Sequence, residues 1–352
     1  MAMLSDIQVH GSSRKGLRWD IRQHAQRNKD DTSQNMLLIF IFYGSLTFTL
    51  AYPPNPWWKL PTYSDELARS KMLPLAAAAY SNWPQMCLEN RFTNAVLSEA
   101  QSKCNVYLKL KRQVNVSCGP LDDNDVCFGF TAVLHDNKTI VISFRGTTTF
   151  LQLVAEADLS VFYDKVPWIA GGWVSRYFFD GFMGLWYTGM GDDFAALREQ
   201  YPEYEIWVTG HSLGAALASL ASSYIIATNQ VSPMSLRLVT FGQPRVGDVF
   251  YSWVHDRQMS YSFRVTHWRD VVPHVPPEMF ELYYHHMSEA FYPLEMTIGT
   301  NYTVCYANES KKCSDGLFDP TSIKDHLHYF GVDVSEYGEY GCNKTMDAIA
   351  QN

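Results

Sequence analysis

Ile206-Trp207-Val208-Thr209-Gly210-His211-Ser212-Leu213-Gly214-Ala215-Ala216-Leu217-Ala218 decides the fold. Ile206, Trp207 and Val208 form a short β-branched and aromatic run that reads as a buried strand. Ala215 to Ala227 is rich in alanine and holds neither Pro nor Gly, so a helix of small side chains can pack close to a sheet. Between them sits Gly210-x-Ser212-x-Gly214. A strand that turns directly into a helix strains its middle residue, and glycine two positions to either side leaves room for the approach. Ser212 therefore stands on a nucleophile elbow as the candidate nucleophile. The Leu213 amide opens the new helix, unpaired, where an oxyanion would form. A serine that merely caps the helix is the plainer reading. The strand before it and the helix after it favour the nucleophile. The segment 206–227 thus implies an α/β fold with a central, mostly parallel sheet flanked by helices.

A chain of 352 residues, 47% of them apolar, can bury one large α/β core or two smaller ones. The net charge of −8 and the lack of any Lys/Arg block exclude nucleic acid as a partner. The ten Trp are more than a core usually needs and suit an apolar surface for greasy substrates.

Residues 1–35 are polar and mixed in charge, and read as disordered, or as untranslated if Met36 is the true start. Residues 36–51 are uncharged and apolar, shorter than the ~20 residues of a spanning helix. They end in Thr49-Leu50-Ala51 before Tyr52-Pro53-Pro54, which fits a signal-peptidase site. If the segment is retained as a signal anchor, Arg14, Lys15, Arg18, Arg22, Arg27 and Lys29 keep the N-terminus cytosolic. Either way the rest of the chain reaches the secretory lumen. All seven cysteines (87, 104, 118, 127, 305, 313, 342) follow this segment. So do five glycosylation sequons, at Asn115, Asn137, Asn301, Asn308 and Asn343. The odd count leaves one thiol outside any internal pair. Cys305–Cys313 is the local candidate, and Cys87–Cys342 would staple the first helix to the C-terminus. The order among Cys104, Cys118 and Cys127 stays open.

Residues 52–62 form a Pro-rich linker, Tyr63 to Tyr80 is helical in character, and 81–125 reads as cysteine-bearing loops. Val126–Leu134 and Thr139–Phe144 form a hairpin about His135-Asp136-Asn137-Lys138. The second strand runs into Arg145-Gly146-Thr147, where the glycine lets the backbone swing. Thr147 could offer its N–H and hydroxyl to an oxyanion, although on spacing alone an ordinary polar turn is favoured. Phe150, Leu151, Leu153, Val154 and Ala157 share one helical face against Gln152, Glu156 and Asp158. They form either a core helix or a mobile lid. One or two helices follow within 173–201. Leu236–Phe241 is a strand, Asp248 the N-cap of a helix near Val249–His255, and Tyr261–Thr266 another strand. Asp270 lies just past that strand's end, where open α/β sheets carry their working groups, placed to orient a histidine.

In the order serine, acid, histidine, the candidates for the base are His274, His285, His286, His326 and His328. Glu289 is expected to ion-pair with His285 or His286. His326 and His328, two apart, face opposite ways if extended. No H-E-x-x-H or paired C-x-x-C appears, so no metal is expected.

Several motifs run in one order: AAAAY at 76–80, SFRGT at 143–147, VTGHSLGAALASL at 208–220 and TFGQPRVGD at 240–248. THxxDxVPxxPP at 266–277, YxHxxxE at 283–289 and HLHYFG at 326–331 follow. In these the chain resembles the class 3 lipases, typified by the secreted fungal triacylglycerol lipases, over about residues 65–345. The layout of its cysteines and the GGWVSRYFF stretch look closest to the nematode branch. The resemblance implies an α/β-hydrolase fold over 63–345, followed by a short tail at 346–352. It implies Ser212 as nucleophile, Asp270 as orienting acid, His326 rather than His328 as general base, and Thr147 and Leu213 as oxyanion donors. It also implies a lid over roughly 149–158 that opens at a lipid surface, lipid esters as substrate, and no cofactor. Departures are Ala215 where glycine is common, a Trp/Gly-rich insertion at 161–189, and extra cysteines. The expected function is a secreted serine ester hydrolase acting as a triacylglycerol lipase. A phospholipase A1 or a feruloyl or soluble-ester esterase is the alternative, and a non-enzymatic lipid-binding protein the third reading.

Overall fold

The computed structural model describes residues 60–92, 108–118, 125–155 and 158–343. The expectations for 1–35, 36–51, most of the linker, the C-terminal tail and Cys104 lie outside the described residues. Among the described residues no helix is long and apolar enough to cross a membrane.

Among the described residues eight strands build the main sheet: β1 (Leu108–Ser117), β2 (Val126–Leu134), β3 (Thr139–Phe144), β4 (Glu205–His211), β5 (Leu236–Phe241), β6 (Ser262–His267), β7 (Glu289–Tyr292) and β8 (Thr303–Cys305). They lie side by side in sequence order. Strands β3 to β7 pair in parallel, and β1, β2 and β8 close the edges antiparallel. This is the mostly parallel sheet expected from the elbow, and the α/β-hydrolase type that the resemblance implies. Every residue of β3 and β6 is buried, because helices cover both faces of a parallel sheet.

The alternation along each strand decides which layer a residue joins. Ile140, Ile142, Phe144, Ile206, Val208, Leu236 and Leu238 face one core, with Leu217 and Ile225 of the elbow helix (Leu213–Ala227) and Phe178 and Phe182 of helix Arg176–Leu185. Val141, Trp207, Val239, Phe241, Phe263 and Val265 face the other, with the alanines of helix Leu73–Ala78 and with Val334 and Tyr337 near the C-terminus. The insertion at 161–189 folds into a short hairpin (Lys165–Pro167 with Trp173–Ser175) and helix Arg176–Leu185, which lies on the elbow helix's side of the sheet.

The expected loops at 81–125 are corrected by two elements. Helix Pro84–Phe92 and strand β1 both lie there. In LKLKRQVNVS Lys111 and Arg112 are exposed on an edge strand, where charge discourages further pairing, so the strand is masked in sequence by its own solvent face.

Disulfides join Cys87 to Cys342, Cys118 to Cys127 and Cys305 to Cys313, with Cα separations of 4.8, 5.5 and 6.3 Å. The first spans 255 residues of sequence. Removing it with the paired change Cys87→Ser and Cys342→Ser is expected to cost about 3–5 kcal/mol, mainly by freeing the unfolded chain. In a thermal melt that is a fall of roughly 10 °C. A Tm unchanged to within a degree would show that the link carries no stability. Asn115, Asn301 and Asn343 are exposed, and Asn137 is half-buried at the hairpin turn. Asn308 differs: its Nδ2 donates to Asp256 Oδ2 at 2.6 Å, so a glycan on that nitrogen would displace a bond of the fold.

Candidate active site

The elbow follows from three close approaches. A Cβ on Gly210 would lie 2.2 Å from the Gly214 carbonyl oxygen. One on Gly214 would lie 2.3 Å from the Phe144 carbonyl oxygen, and one on Gly146 would lie 2.8 Å from Ser212 Cβ. Strand, helix and the loop after β3 thus meet only because these positions lack side chains. Ser212 takes φ 60° and ψ −129°, a strained conformation for a residue with a side chain. The Ser212 amide donates to the Phe241 carbonyl at 3.0 Å, which anchors the turn to β5. Leu213 is the first residue of the helix, so its amide has no partner in the helix's own ladder.

Asp270 sits beyond β6, and the segment bearing His326 is laid beside it by a parallel bridge between Asp270 and Ser322. Ser322 then caps the short helix Ile323–Leu327, its Oγ accepting from the Asp325 amide at 3.0 Å. That cap turns His326 inward. Its Nδ1 lies 3.0 Å from both oxygens of Asp270. Asp270 also accepts from the Tyr329 hydroxyl at 2.6 Å and from the Val272 amide at 2.8 Å. Burial alone would raise its carboxyl. The charge of His326 and the hydrogen bonds from His326, Tyr329 and Val272 outweigh that and hold it below the ordinary carboxylate range. Gly242 leaves room for the pair, since a Cβ there would lie 2.7 Å from the His326 ring.

Ser212, Asp270 and His326 are each at most 1% exposed. Ser212 Oγ and His326 Nε2 are both buried and without a hydrogen-bond partner among the described residues. Thr147 follows Gly146, the glycine against Ser212, and is itself buried. Its Oγ1 accepts from the Phe150 amide at 3.1 Å and so caps the helix Thr148–Ala155. Phe150 and Val154 of that helix are buried in the same core as Leu213, with Leu151 packed against it. The Leu153 side chain lies outside the described residues. Access to Ser212 is closed in this state.

Of the other candidates, His274 lies in the short turn Val272–His274 with its Nε2 buried and without a hydrogen-bond partner among the described residues, and the remaining three are engaged elsewhere. His285 Nε2 bonds the Pro273 carbonyl at 2.7 Å, His286 Nδ1 the Met287 carbonyl at 2.8 Å and His328 Nδ1 the Lys324 carbonyl at 2.9 Å. Glu289 does not pair with His285 or His286, contrary to expectation. It accepts from Thr266 Oγ1 at 2.6 Å and from the Ser314 amide, and lies 3.8 Å from Arg264, a charge that sequence spacing gave no reason to bring there. One group, His255, Asp256 and His286, brings ligand atoms within 4.8 Å of one another. Its two imidazoles stack with centroids 3.7 Å apart and planes 21° apart, so their in-plane lone pairs do not converge on one ion.

Sequence reasoning missed His211 and Tyr80. His211 Nε2 lies 2.8 Å from the His326 carbonyl, its Nδ1 2.7 Å from the Tyr80 hydroxyl, and that hydroxyl accepts from the Gly146 amide at 3.2 Å. Burial, and then the nearby His326, push the His211 pKa down to about 3, so the ring is neutral at working pH. The network then assigns Nε2–H as donor to the carbonyl and Nδ1 as acceptor from Tyr80. His211 also stacks on His326 at 4.6 Å. One imidazole thus ties the loop after β3, the elbow and the His326 segment together. The only signal in sequence was position, the residue just before the serine.

The model of the class 3 lipases matches residues 141–280. A Caenorhabditis elegans protein described as Lipase ZK262.3 is 33% identical over 313 residues, covering 81% of this chain and 84% of the relative. Among solved structures, lipase II from Rhizopus niveus matches with a TM-score of 0.63 and 26% identity, covering 80% of this chain and 98% of that one. A triacylglycerol lipase whose catalytic centre is described as a serine protease triad matches at 0.62 and 27%, covering 78% and 97%. By this likeness across most of its length the chain belongs to the class 3 lipase family, and is a carboxylic ester hydrolase.

Proposed function

We propose that this chain is a secreted lipase that releases fatty acids from acylglycerols through an acyl-enzyme on Ser212. The observation that carries the reading is the strained elbow with a free Ser212 Oγ, combined with a histidine already held by a buried, ionised Asp270. His326 Nε2 takes the serine proton as Oγ attacks the ester carbonyl, and Asp270 holds the ring with its proton on Nδ1. The amides of Leu213 and Thr147 receive the oxyanion. The imidazolium returns its proton to the departing alcohol, and water then repeats the cycle to release the fatty acid. No cofactor enters.

Burial of Ser212 requires something to move before an ester can enter. The helix Thr148–Ala155 is the lid in this reading: it begins at the oxyanion loop, and its apolar face would meet lipid once it lifted. Three disulfides support an oxidising compartment, in keeping with residues 36–51 as a leader and 63–345 as the hydrolase domain.

The test is to express the full chain through a secretory host and assay the purified protein on emulsified triolein and a short-chain soluble ester, with Ser212→Ala as control. Serine-dependent release from triolein, with a rate that jumps above the substrate's solubility limit, supports the lipase. Release from the soluble ester alone moves the reading to an esterase. Serine-dependent release only from a phospholipid's first position makes it a phospholipase A1.

A further inference from the structure

The hydrogen bonds of His211 run in one direction. The neutral ring carries its proton on Nε2 and donates to the His326 carbonyl at 2.8 Å. Its Nδ1, left with a lone pair, accepts from the Tyr80 hydroxyl at 2.7 Å, and the Tyr80 oxygen accepts from the Gly146 amide at 3.2 Å. The opposite tautomer would set the Nε2 lone pair against the carbonyl oxygen. The three contacts therefore agree on a single assignment of protons.

Both ends of this chain lie in the segments that carry the chemistry. His326 sits on a helix of five residues, Ile323–Leu327, too short to fix its own place. Asp270 holds the His326 ring at Nδ1 and His211 holds its backbone, so Nε2 is aimed from two points. At the other end, Gly146 is wedged between the Tyr80 hydroxyl and Ser212 Cβ, and the next residue is Thr147. Behind that loop lies a cavity of about 370 Å³, whose lining includes Phe128, Arg145, Thr149 and Glu339. Packing presses the loop only weakly from that side, and the bond from the Gly146 amide to Tyr80 stands in for it. Tyr80 is set in turn by the helix Leu73–Ala78, its own amide donating to the Ala77 carbonyl at 2.9 Å.

Shape alone does not ask for these polar atoms. A phenylalanine would fill the place of Tyr80. A ring without nitrogens would still stack on His326 as His211 does, with centroids 4.6 Å apart and planes 24° apart. What a plain ring could not do is hold the His326 carbonyl and the Gly146 amide at once.

We propose that His211 and Tyr80 are positioning residues for ester hydrolysis: His211 fixes the His326 backbone through Nε2, and through Nδ1 and Tyr80 it fixes the Gly146 amide and with it the oxyanion loop beside Ser212. The inference rests on Ser212 and His326 being the nucleophile and the base. Neither side chain acts on the ester directly. Their effect falls on the rate at which bound ester reacts, because the base and the oxyanion donors work on charge that exists only in the transition state.

The experiment measures kcat and KM of the full chain on a soluble p-nitrophenyl ester, with thermal melts, for wild type, Ser212→Ala, Tyr80→Phe, His211→Asn, His211→Phe and the pair Tyr80→Phe with His211→Phe. Endpoint titration with a fluorophosphonate counts the competent serines, so a smaller folded fraction is not read as a lower kcat. Tyr80→Phe is expected to lower kcat roughly ten- to a hundredfold, with KM within about twofold. Asn offers an oxygen near the place of Nδ1 and no group near Nε2, so His211→Asn keeps the Tyr80 arm and loses only the His326 arm. It is expected to stay at least about fivefold more active than His211→Phe, which loses both. In the His211→Phe background Tyr80→Phe is expected to cost at least about threefold less than in the wild type, because the hydroxyl is no longer oriented there. A folded Tyr80→Phe with wild-type kcat overturns the proposal, and this half-buried variant decides even where the His211 variants do not fold. So does a loss that falls on KM alone, a folded His211→Asn as impaired as His211→Phe, or full additivity of the pair. Wild-type turnover that survives Ser212→Ala overturns the underlying mechanism instead, and this inference with it.

Discussion

Ser212→Ala is expected to leave the protein folded and to lower kcat on any ester by roughly 10⁶-fold. The size follows from the part proposed for the serine. Without Oγ no acyl-enzyme forms, and only the roughly 10³–10⁴-fold contribution of the oxyanion donors and binding is left over the reaction in water. Folding is spared for a local reason. At φ 60° an alanine meets the same strain as a serine, since both carry a Cβ. Ser212 Oγ makes no hydrogen bond among the described residues and is buried, so its removal loses no bond and relieves an unsatisfied polar atom. The Tm is therefore expected to hold or to rise slightly. Initial rates on a soluble ester and a thermal melt check both halves. A variant that keeps a tenth of wild-type turnover would remove Ser212 from the chemistry.

Asp270→Asn comes second, with an expected loss of about 10⁴-fold in kcat. Asp270 faces three donors: His326 Nδ1–H, the Tyr329 hydroxyl and the Val272 amide. A carboxylate has acceptor positions for all of them, whereas an asparagine must turn an NH2 towards at least one. If it faces His326, the ring flips to the tautomer with its proton on Nε2 and cannot take the Ser212 proton. If it faces Tyr329 or Val272, a buried donor is left facing a donor, at about 1–3 kcal/mol. The variant also separates two pH effects. The depressed carboxyl of Asp270 contributes stability that is present above the ordinary carboxylate range and is lost as pH falls through its lowered folded value. Asp270→Asn lacks that acid-side loss, so its melting temperature should fall less steeply with acid than the wild type's. An Asp270→Asn enzyme with wild-type kcat, or with the wild-type acid limb, would contradict the role given to this carboxylate.

What was legible in the sequence was local. The hairpin strands Val126–Leu134 and Thr139–Phe144 and the strand Leu236–Phe241 could be read to the residue, because apolar runs bounded by turn residues leave little choice. Asp248 as an N-cap could be read too, since Asp before a helix has a single cheap use, and its carboxylate does accept from the Tyr251 amide at 2.8 Å. Strand β1 was hidden because its exposed charges interrupt the apolar pattern. The choice among five histidines was not open to spacing at all. It depends on the Asp270–Ser322 bridge, a contact between segments about fifty residues apart that no local pattern encodes. His211 and Tyr80 were silent for the same reason: each acts through a partner distant in sequence.

The link between Cys87 and Cys342 makes the stretch between them a covalent ring. Every strand of the main sheet and all of Ser212, Asp270 and His326 lie within it. A protease that cuts once in an exposed loop of that stretch opens the ring without releasing a piece, so both sides of the cut stay tethered and can close again on the same core. Two cuts are needed before anything diffuses away. For an enzyme that meets other hydrolases outside the cell, as proposed here, this converts a first nick from a loss into a repairable change of topology.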